Sequence, residues 1–302
     1  MSLFIGVDGG GTSTRAVIVG DDGEPCGRAS VGGAVASTVR PEEAADAVRH
    51  AARAAAEAAG VTLPGTALWA GLAGAGHEDA RQAVERLLDD GTLAQSVAVG
   101  TDVEAAFRDA FPEGPGVLLI AGTGSIAWFR GSDGRVGRVG GWGRDLGDEG
   151  SGFWLGREGL RLVLRAADGR AAPTALSDAL TAAAGVTGPD DLVPWTERVG
   201  KREVAALAPI VAETAERGDP GAGALVDEAV QELVGHVRAA SRADAPGVVL
   251  WGGLVAGDGP LRSRLVRALE AERFAVLDRP VDPVLGAAML ARRLVGRSPA
   301  GG

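Results

Sequence analysis

The stretch LFIGVDGGGTSTRAVIV, residues 3–19, is the most informative part of this chain. Two short runs rich in β-branched residues flank three consecutive glycines, which predicts a β-hairpin with an unusually open turn. A tight turn needs only one or two glycines. Three in a row also leave backbone N–H groups without side chains around them, an arrangement that suits a phosphate group. Asp8 ends the first strand and could meet the cation that accompanies the phosphate. From this motif alone, a loose hairpin and a phosphate-binding turn are equally good interpretations.

Composition limits the class of protein. The chain has 302 residues, 46% of them hydrophobic and 23% charged, as expected for a globular protein with two domains. Its formal net charge of −10 argues against a nucleic-acid partner, which would require a basic surface. No apolar run approaches the ~20 residues of a transmembrane helix, and Met1 leads into the first strand without a signal-like segment. We therefore expect a cytoplasmic protein without a membrane partner.

Two residue counts exclude specific kinds of site. Cys26 is the only cysteine, so a single chain cannot form a disulfide, a thiolate zinc site or an iron–sulfur cluster of its own. Lys201 is the only lysine, and Arg202 follows it where a Walker A loop has Ser or Thr. A nucleotide would therefore be bound by a different arrangement.

The order of strand and helix patterns predicts an α/β protein with two related halves. In the first hundred residues short apolar strands alternate with helices, among them an Ala-rich helix over 41–59. The pattern restarts after residue 115, where a strand runs into Gly-Thr-Gly-Ser at 122–125 and a second strand follows. This order repeats that of the opening hairpin, so it predicts a second phosphate-binding turn.

The rest of the second half is mostly helical. Helical patterns dominate 151–242, and a late strand over 247–251 runs into Gly252 and Gly253. These two glycines fit either a tight turn or a backbone surface against an adenine ring, and in isolation the turn is favoured.

A carboxylate follows the predicted strand at 95–99. Asp102 lies where the carboxyl ends of strands in open α/β sheets bind ligands. Thr101 and Glu104 fit a helix-capping box, which explains both of them but leaves Asp102 without a structural reason. Taken alone, this motif is better explained as a helix cap than as a ligand-binding site.

The densest motif is GGWGRDLGDEGS, residues 140–151, with five glycines, a Trp and three carboxylates before a helix. A plain connection seldom needs so much backbone freedom, because each glycine adds ordering entropy. Trp142 could present an apolar ring face to a sugar, and Asp148 or Glu149 could accept hydrogen bonds from its hydroxyls. Helix capping accounts only for the last few residues, so a functional interpretation is favoured.

In their order along the chain, these motifs resemble those of the BadF/BadG/BcrA/BcrD-type ATPases, specifically the N-acetylglucosamine/glucosamine kinase branch of the actin-like, hexokinase-like superfamily. The similarity spans nearly the whole chain. It implies two actin-like (ribonuclease H-like) domains, 1–112 with 285–302 and 113–284, with a nucleotide and sugar cleft between them. It also implies ATP-dependent phosphorylation of an amino sugar at its 6-hydroxyl with Mg²⁺, and a homodimer is the expected assembly.

The resemblance also implies a role for each motif. Asp102 would be the catalytic base, and Asp8 would hold Mg²⁺ through water. The residues implied to bind ATP are Gly9, Gly10, Gly11, Thr12, Ser13, Thr123, Gly124, Gly252 and Gly253. Those implied to bind the sugar are Ser37, Asp102, Gly141, Trp142, Gly143, Asp148 and Glu149.

One departure from the pattern of the branch bears on the substrate. In N-acetylglucosamine kinases an Asn after the third strand contacts the sugar, whereas the loop GGAVAST, residues 32–38, has no Asn and offers Ser37. A free amine needs no amide pocket and suits the acidic surroundings of Asp148 and Glu149. Glucosamine is therefore favoured over N-acetylglucosamine.

Three alternatives compete with a kinase. An ATPase that activates a dehydratase needs two cysteines per subunit for a shared cluster, which Cys26 alone excludes. Regulators of the ROK type add a basic DNA-binding domain, for which we expect no room before Phe4. A sugar or nucleotide sensor without turnover stays open at this point.

Overall fold

The computed structural model describes residues 2–241 and 247–296, so Arg242, the predicted end of the helical region, lies outside them. The chain divides into two compact units, Met1–Glu113 with Pro280–Gly302, and Gly114–Arg279. Glu113 and residues 280–284 thus fall in the first unit rather than the second. The reason is local, because the backbone N–H of Asp282 donates to the Asp109 carboxylate at 2.8 Å.

Across the described residues the chain forms ten strands and eleven α-helices. The strands are β1 (Phe4–Gly9), β2 (Ser13–Val19), β3 (Pro25–Gly32), β4 (Gly65–Leu72), β5 (Ala94–Gly100), β6 (Gly116–Ala121), β7 (Ser125–Arg130), β8 (Val136–Gly140), β9 (Val248–Trp251) and β10 (Val276–Leu277). The helices are α1 (Pro41–Ala59), α2 (Glu78–Leu88), α3 (Asp102–Ala110), α4 (Gly152–Ala167), α5 (Leu176–Ala184), α6 (Leu192–Arg198), α7 (Lys201–Ala205), α8 (Ala208–Glu216), α9 (Pro220–Ala240), α10 (Arg262–Ala271) and α11 (Pro283–Val295).

The first unit is built on a sheet with the strand order β3-β2-β1-β4-β5. Strands β1, β2 and β3 form an antiparallel meander, while β4 and β5 run parallel to β1. The predicted opening hairpin is therefore confirmed. Because β1, β4 and β5 are parallel, their carboxyl ends lie at one edge of the sheet, where ligands bind in such folds.

Small side chains let helix α1 pack closely on this sheet. Its buried face is almost entirely alanine, and a Cβ added at Gly27 of β3 would lie 2.3 Å from the carbonyl oxygen of Ala55. Helices α3 and α11 pack on the opposite face with Phe4, Val17 and Trp69. The sheet is thus covered on both faces, as its apolar strands predicted.

The second unit repeats the topology of the first. Its sheet has the order β10-β9-β6-β7-β8, with β6, β7 and β8 antiparallel and β9 and β10 parallel to β6. Position by position this matches β5-β4-β1-β2-β3, so the two related halves are confirmed. Helices α4 to α9 stand between β8 and β9 in the chain and bury a large apolar core. Among the helices of residues 2–241 and 247–296, none combines the length and apolarity of a membrane span.

Candidate functional site

The glycine turn between β1 and β2 is open, as the sequence predicted. The N–H of Gly10 donates to the carbonyl of Ser13 at 3.0 Å, and the carbonyl of Thr12 accepts from the N–H of Gly33 at 3.2 Å. Gly11 and Thr12 are exposed. A Cβ added at Gly10 would meet no atom of the described residues within 4 Å. Packing therefore gives no reason for a glycine at position 10, and its role in binding phosphate stays a prediction.

Asp8 lies beside this turn and is paired with an arginine. Its side chain is 14% exposed, and Nη2 of Arg15 on β2 lies 2.6 Å from its Oδ2. Burial raises the pKa of Asp8, and the hydrogen bond and charge of Arg15 only partly offset that effect. Sequence reasoning missed Arg15, although the hairpin register places it directly opposite Asp8.

Asp102 is the first residue of α3, immediately after the cap that follows β5. The predicted capping box is confirmed: Thr101 Oγ1 accepts from the N–H of Glu104 at 3.2 Å, and the N–H of Thr101 donates to Glu104 Oε2 at 2.7 Å. The Asp102 carboxylate takes no part in it and accepts from the N–H of Val103 at 3.0 Å. Burial raises the pKa of Asp102, and the negative charge of Asp8 raises it further. Both carboxylates thus lie at the same edge of the sheet.

The loop after β3 rests on the first turn. A Cβ added at Gly33 would lie 2.3 Å from the carbonyl oxygen of Gly10, so the two backbones are in direct contact. Further along, the N–H of Ala36 donates to the carbonyl of Ala73 at 2.8 Å. Ser37 is partly buried, and its hydroxyl accepts from the N–H of Val39 at 3.1 Å, which leaves its own proton to donate.

The second glycine turn joins β6 to β7 and is held by the start of α4. The carbonyl of Gly122 accepts from the N–H of Gly152 at 2.8 Å. The carbonyl of Thr123 accepts from the N–H of Phe153 at 3.3 Å. The Gly252-Gly253 turn lies beside it. A Cβ at Gly122 would be 3.9 Å from the nitrogen of Gly253.

Conformation and close packing against β6 explain the first glycine of this turn. Gly252 has φ of 102°, and a Cβ there would lie 2.5 Å from the carbonyl oxygen of Ala121. No other residue fits that position without displacing the backbone. The structure therefore brings together the second-unit residues predicted to bind ATP, namely Thr123, Gly124, Gly252 and Gly253.

The loop at 140–150 presents an exposed tryptophan. Trp142 is 66% exposed, and the guanidinium carbon of Arg138 lies 4.2 Å from its ring centroid. Four glycines of the motif have a positive φ, which is a conformational reason for their presence: Gly140, Gly141, Gly143 and Gly150. Their number alone is therefore not a sign of function, whereas the accessible ring is compatible with sugar stacking.

Asp148 is buried beneath the second turn. Its Oδ1 accepts from the N–H of Ser125 at 3.3 Å, and its Oδ2 lies 2.5 Å from Nζ of Lys201. Its φ is 60°, a conformation that side chains other than glycine rarely adopt. Both oxygens have protein partners, so its role as a sugar ligand stays a prediction. Glu149 is partly buried, and its carbonyl accepts from the hydroxyl of Ser125 at 2.7 Å.

Lys201 is the second residue that sequence reasoning missed. Its neighbours do not form a Walker A loop, so no sequence motif points to it. The structure places its ammonium at the second glycine turn, through a contact with a residue 53 positions away. No local pattern could have predicted that pairing.

The donor atoms of the first unit fit a magnesium ion. Asp8 supplies carboxylate oxygens, which Mg²⁺ prefers, and the ion commonly completes its shell with water and substrate phosphates. No group of three or more His, Cys, Asp or Glu within the described residues forms a metal cage. A site of one or two carboxylates matches the way Mg²⁺ is bound together with a nucleotide.

The duplicated fold and its glycine turns define the class of protein. Each unit has the same five-strand order with a glycine turn after its first strand, which is the actin-like α/β fold. The sequence profile of the BadF/BadG/BcrA/BcrD ATPase family matches residues 5–291. The chain belongs to this family, as its motifs indicated.

Individual relatives carry amino-sugar names. The chain is 28% identical over 242 residues to the N-acetylmuramic acid/N-acetylglucosamine kinase of Clostridium acetobutylicum, with 79% of each chain covered. It is 30% identical over 255 residues to the glucosamine kinase of Vibrio cholerae, covering 84% of this chain and 85% of the relative. The crystal structure of a candidate N-acetylglucosamine kinase from Chromobacterium violaceum matches with a TM-score of 0.81 and 31% identity, covering 96% and 99% of the two chains.

Proposed function

We propose that this protein transfers the terminal phosphoryl group of ATP to a hydroxyl of an amino sugar, with glucosamine as the favoured acceptor. The observation that carries the proposal is the pair of carboxylates, Asp8 and Asp102, beside an open glycine turn at one sheet edge. Family membership and the amino-sugar kinases among its relatives support the same activity. The homodimer and the cytoplasmic location stay predictions.

Asp102 is the group proposed to activate the acceptor. Burial and the charge of Asp8 raise its pKa, which makes it a stronger base than an exposed aspartate. It would take the proton of the sugar hydroxyl as the oxygen attacks the γ-phosphorus and the bond to the β-phosphate oxygen breaks. The products are a sugar phosphate, ADP and the proton on Asp102.

Phosphoryl transfer otherwise requires positioning and charge neutralisation. We assign the phosphates of ATP to the backbone of Gly9–Ser13 and of Thr123-Gly124, and the nucleoside to Gly252 and Gly253. A bound Mg²⁺ held by Asp8 through water would neutralise charge on the phosphates. The cation of Arg15 beside Asp8 would add to that neutralisation.

Two features of the chain bear on the choice of sugar. The loop after β3 offers Ser37 and no Asn, which favours a free amine over an acetamido group. N-acetylglucosamine is the second candidate, because that name occurs among the relatives alongside glucosamine. Trp142, with Gly141 and Gly143, would pack against the sugar ring, and Asp148 and Glu149 would recognise its hydroxyls or amine.

ADP release with a panel of sugars tests the proposal. Glucosamine, N-acetylglucosamine, glucose and N-acetylmannosamine are each added with ATP and Mg²⁺, and the highest kcat/KM is expected for glucosamine. A preference for N-acetylglucosamine would overturn the argument from Ser37 but not the kinase. Binding of ATP without release above the sugar-free rate for any amino sugar would instead identify a sensor.

Gly10→Ala is expected to raise the KM for ATP about tenfold, because the added methyl group would separate the phosphates from the backbone N–H groups. Nothing in the described structure opposes that methyl group, so the free energy of unfolding should change by less than about 0.5 kcal/mol. Steady-state kinetics and urea denaturation give the two quantities. Gly188→Ala, at a second glycine with open space around it, is the control. An unchanged KM would favour the loose-hairpin interpretation.

A further inference from the structure

The single lysine of the chain lies against the second glycine turn. Nζ of Lys201 is 2.5 Å from Oδ2 of Asp148 and would be 3.0 Å from a Cβ added at Gly124. The other oxygen of Asp148 accepts the N–H of Ser125, at the end of the same turn. The ammonium, the carboxylate and the turn therefore form one contiguous group within the second unit.

A structural ion pair explains only part of this arrangement. The Asp148 side chain is 5% exposed, and a buried carboxylate needs a cation to compensate its charge. The Lys201 side chain, however, is 31% exposed, and its ammonium has three N–H donors. The contact with Asp148 uses one of them, and the ammonium lies beside a turn of small residues in which Thr123 is exposed.

The glycine at position 124 leaves room for both charged groups. A Cβ there would also lie 2.8 Å from Oδ1 of Asp148, so any side chain would displace the pair. Asp148 keeps an unfavourable left-handed conformation, φ 60°, while it holds the ammonium. These features place the ammonium of Lys201 against the backbone of Thr123-Gly124. The sequence motif predicts independently that this backbone binds phosphate.

We propose that Lys201 binds a phosphate group of the nucleotide at the second glycine turn, and that Asp148 positions its ammonium for that contact. The inference rests on the proposed function, because it takes the nucleotide to be the ligand of this turn. A lysine ammonium is a compact point charge that pairs well with phosphate oxygens. Asp148 is then a positioning residue as well, whose buried carboxylate orients the cation in addition to the sugar contact proposed above.

Lys201→Met tests the proposal by calorimetric titration without sugar. Adenosine, AMP, ADP and ATP are titrated in turn with Mg²⁺. The affinity for ADP and ATP is expected to fall about tenfold or more, while that for adenosine stays at the wild-type value. Arg202→Met is the matched control, because it removes an exposed positive charge from the next position of the same helix. It should leave all four affinities unchanged.

A second variant removes the complication of an uncompensated charge. In Asp148→Asn/Lys201→Met both charges are absent, and the amide oxygen can still accept the N–H of Ser125. The same loss of affinity for ADP and ATP, but not for adenosine, is expected. An equal loss for all four ligands, or no loss, would overturn the proposal, since a purely structural pair has no reason to distinguish ligands by their phosphates.

The wild-type protein offers a test that does not depend on the folding of a variant. Because Lys201 is the only lysine, an amine-acylating reagent has one side-chain target, and peptide mass spectrometry gives its rate of modification. Saturating ADP should slow acylation of Lys201 several-fold, whereas saturating adenosine should not. Equal rates with and without ADP would overturn the proposal. Failure of the wild-type protein to bind any nucleotide would overturn the proposed function itself.

Discussion

Asp102→Asn is expected to lower kcat by about 10²-fold or more, because the variant cannot take the proton of the sugar hydroxyl. Asparagine has nearly the same shape, and its amide oxygen can still accept the N–H of Val103, as the carboxylate does at 3.0 Å. ATP affinity by calorimetry should therefore be preserved. The rate of ADP release at a saturating concentration of the favoured sugar gives kcat. Turnover at the wild-type level would remove Asp102 from the role of base.

The same substitution should raise the melting temperature of the protein at pH 7.5, without nucleotide or Mg²⁺. Burial and the charge of Asp8 raise the pKa of Asp102 above its ordinary 3.8, so the folded state binds the proton more tightly than the unfolded state. The stability due to the protonated carboxyl is present below about pH 4 and is lost as pH rises through the raised pKa. The gain from Asn should therefore be largest at neutral pH and should vanish on acidification.

Asp79→Asn is the matched control for that measurement. Asp79 also lies in the first turn of a helix that follows a parallel strand of the same sheet, but it is exposed. Both substitutions remove a charge that interacts favourably with the helix N-terminus. Asp79→Asn should therefore slightly lower the melting temperature. If both variants melted at the same temperature as each other, the neighbouring charge and burial of Asp102 would have no measurable effect.

Local sequence patterns were enough to predict most of the fold. The helix Pro41–Ala59 and the strand Gly116–Ala121 have the predicted bounds, because each has clear signals at its ends. Two elements were missed. Strand β8 is short and contains Gly and Arg, and β10 has two residues, so neither has a run of apolar residues that could indicate a strand.

The site was predictable where one short motif contains it. The capping box at Thr101 and the first glycine turn are local, and a family resemblance assigns roles to them. The pairs Asp8–Arg15 and Asp148–Lys201 depend on strand register and on a contact between distant parts of the second unit. Such contacts follow from the packed structure, and no local motif marks Arg15 or Lys201.

Gly33→Ala is expected to disturb the first glycine turn from a residue that is itself not assigned to the ligand. A Cβ at this position would lie 2.3 Å from the carbonyl oxygen of Gly10 and 2.5 Å from the nitrogen of Ser13. These are backbone atoms and cannot move aside as a flexible side chain could. Either the loop after β3 or the turn itself must shift. We expect a loss of about 1–3 kcal/mol in the free energy of unfolding.

The kinetic effect should be larger than that of Gly10→Ala, because the whole turn moves rather than one atom being added to it. The kcat/KM for ATP is expected to fall by more than tenfold. Gly32→Ala is the control, since a Cβ at the neighbouring position meets no atom of the described residues within 4 Å. It should behave as the wild type in both urea denaturation and kinetics. If Gly33→Ala lowered stability but left kcat/KM unchanged, the turn would have moved without consequence for ATP, and its assignment to the phosphates would be wrong.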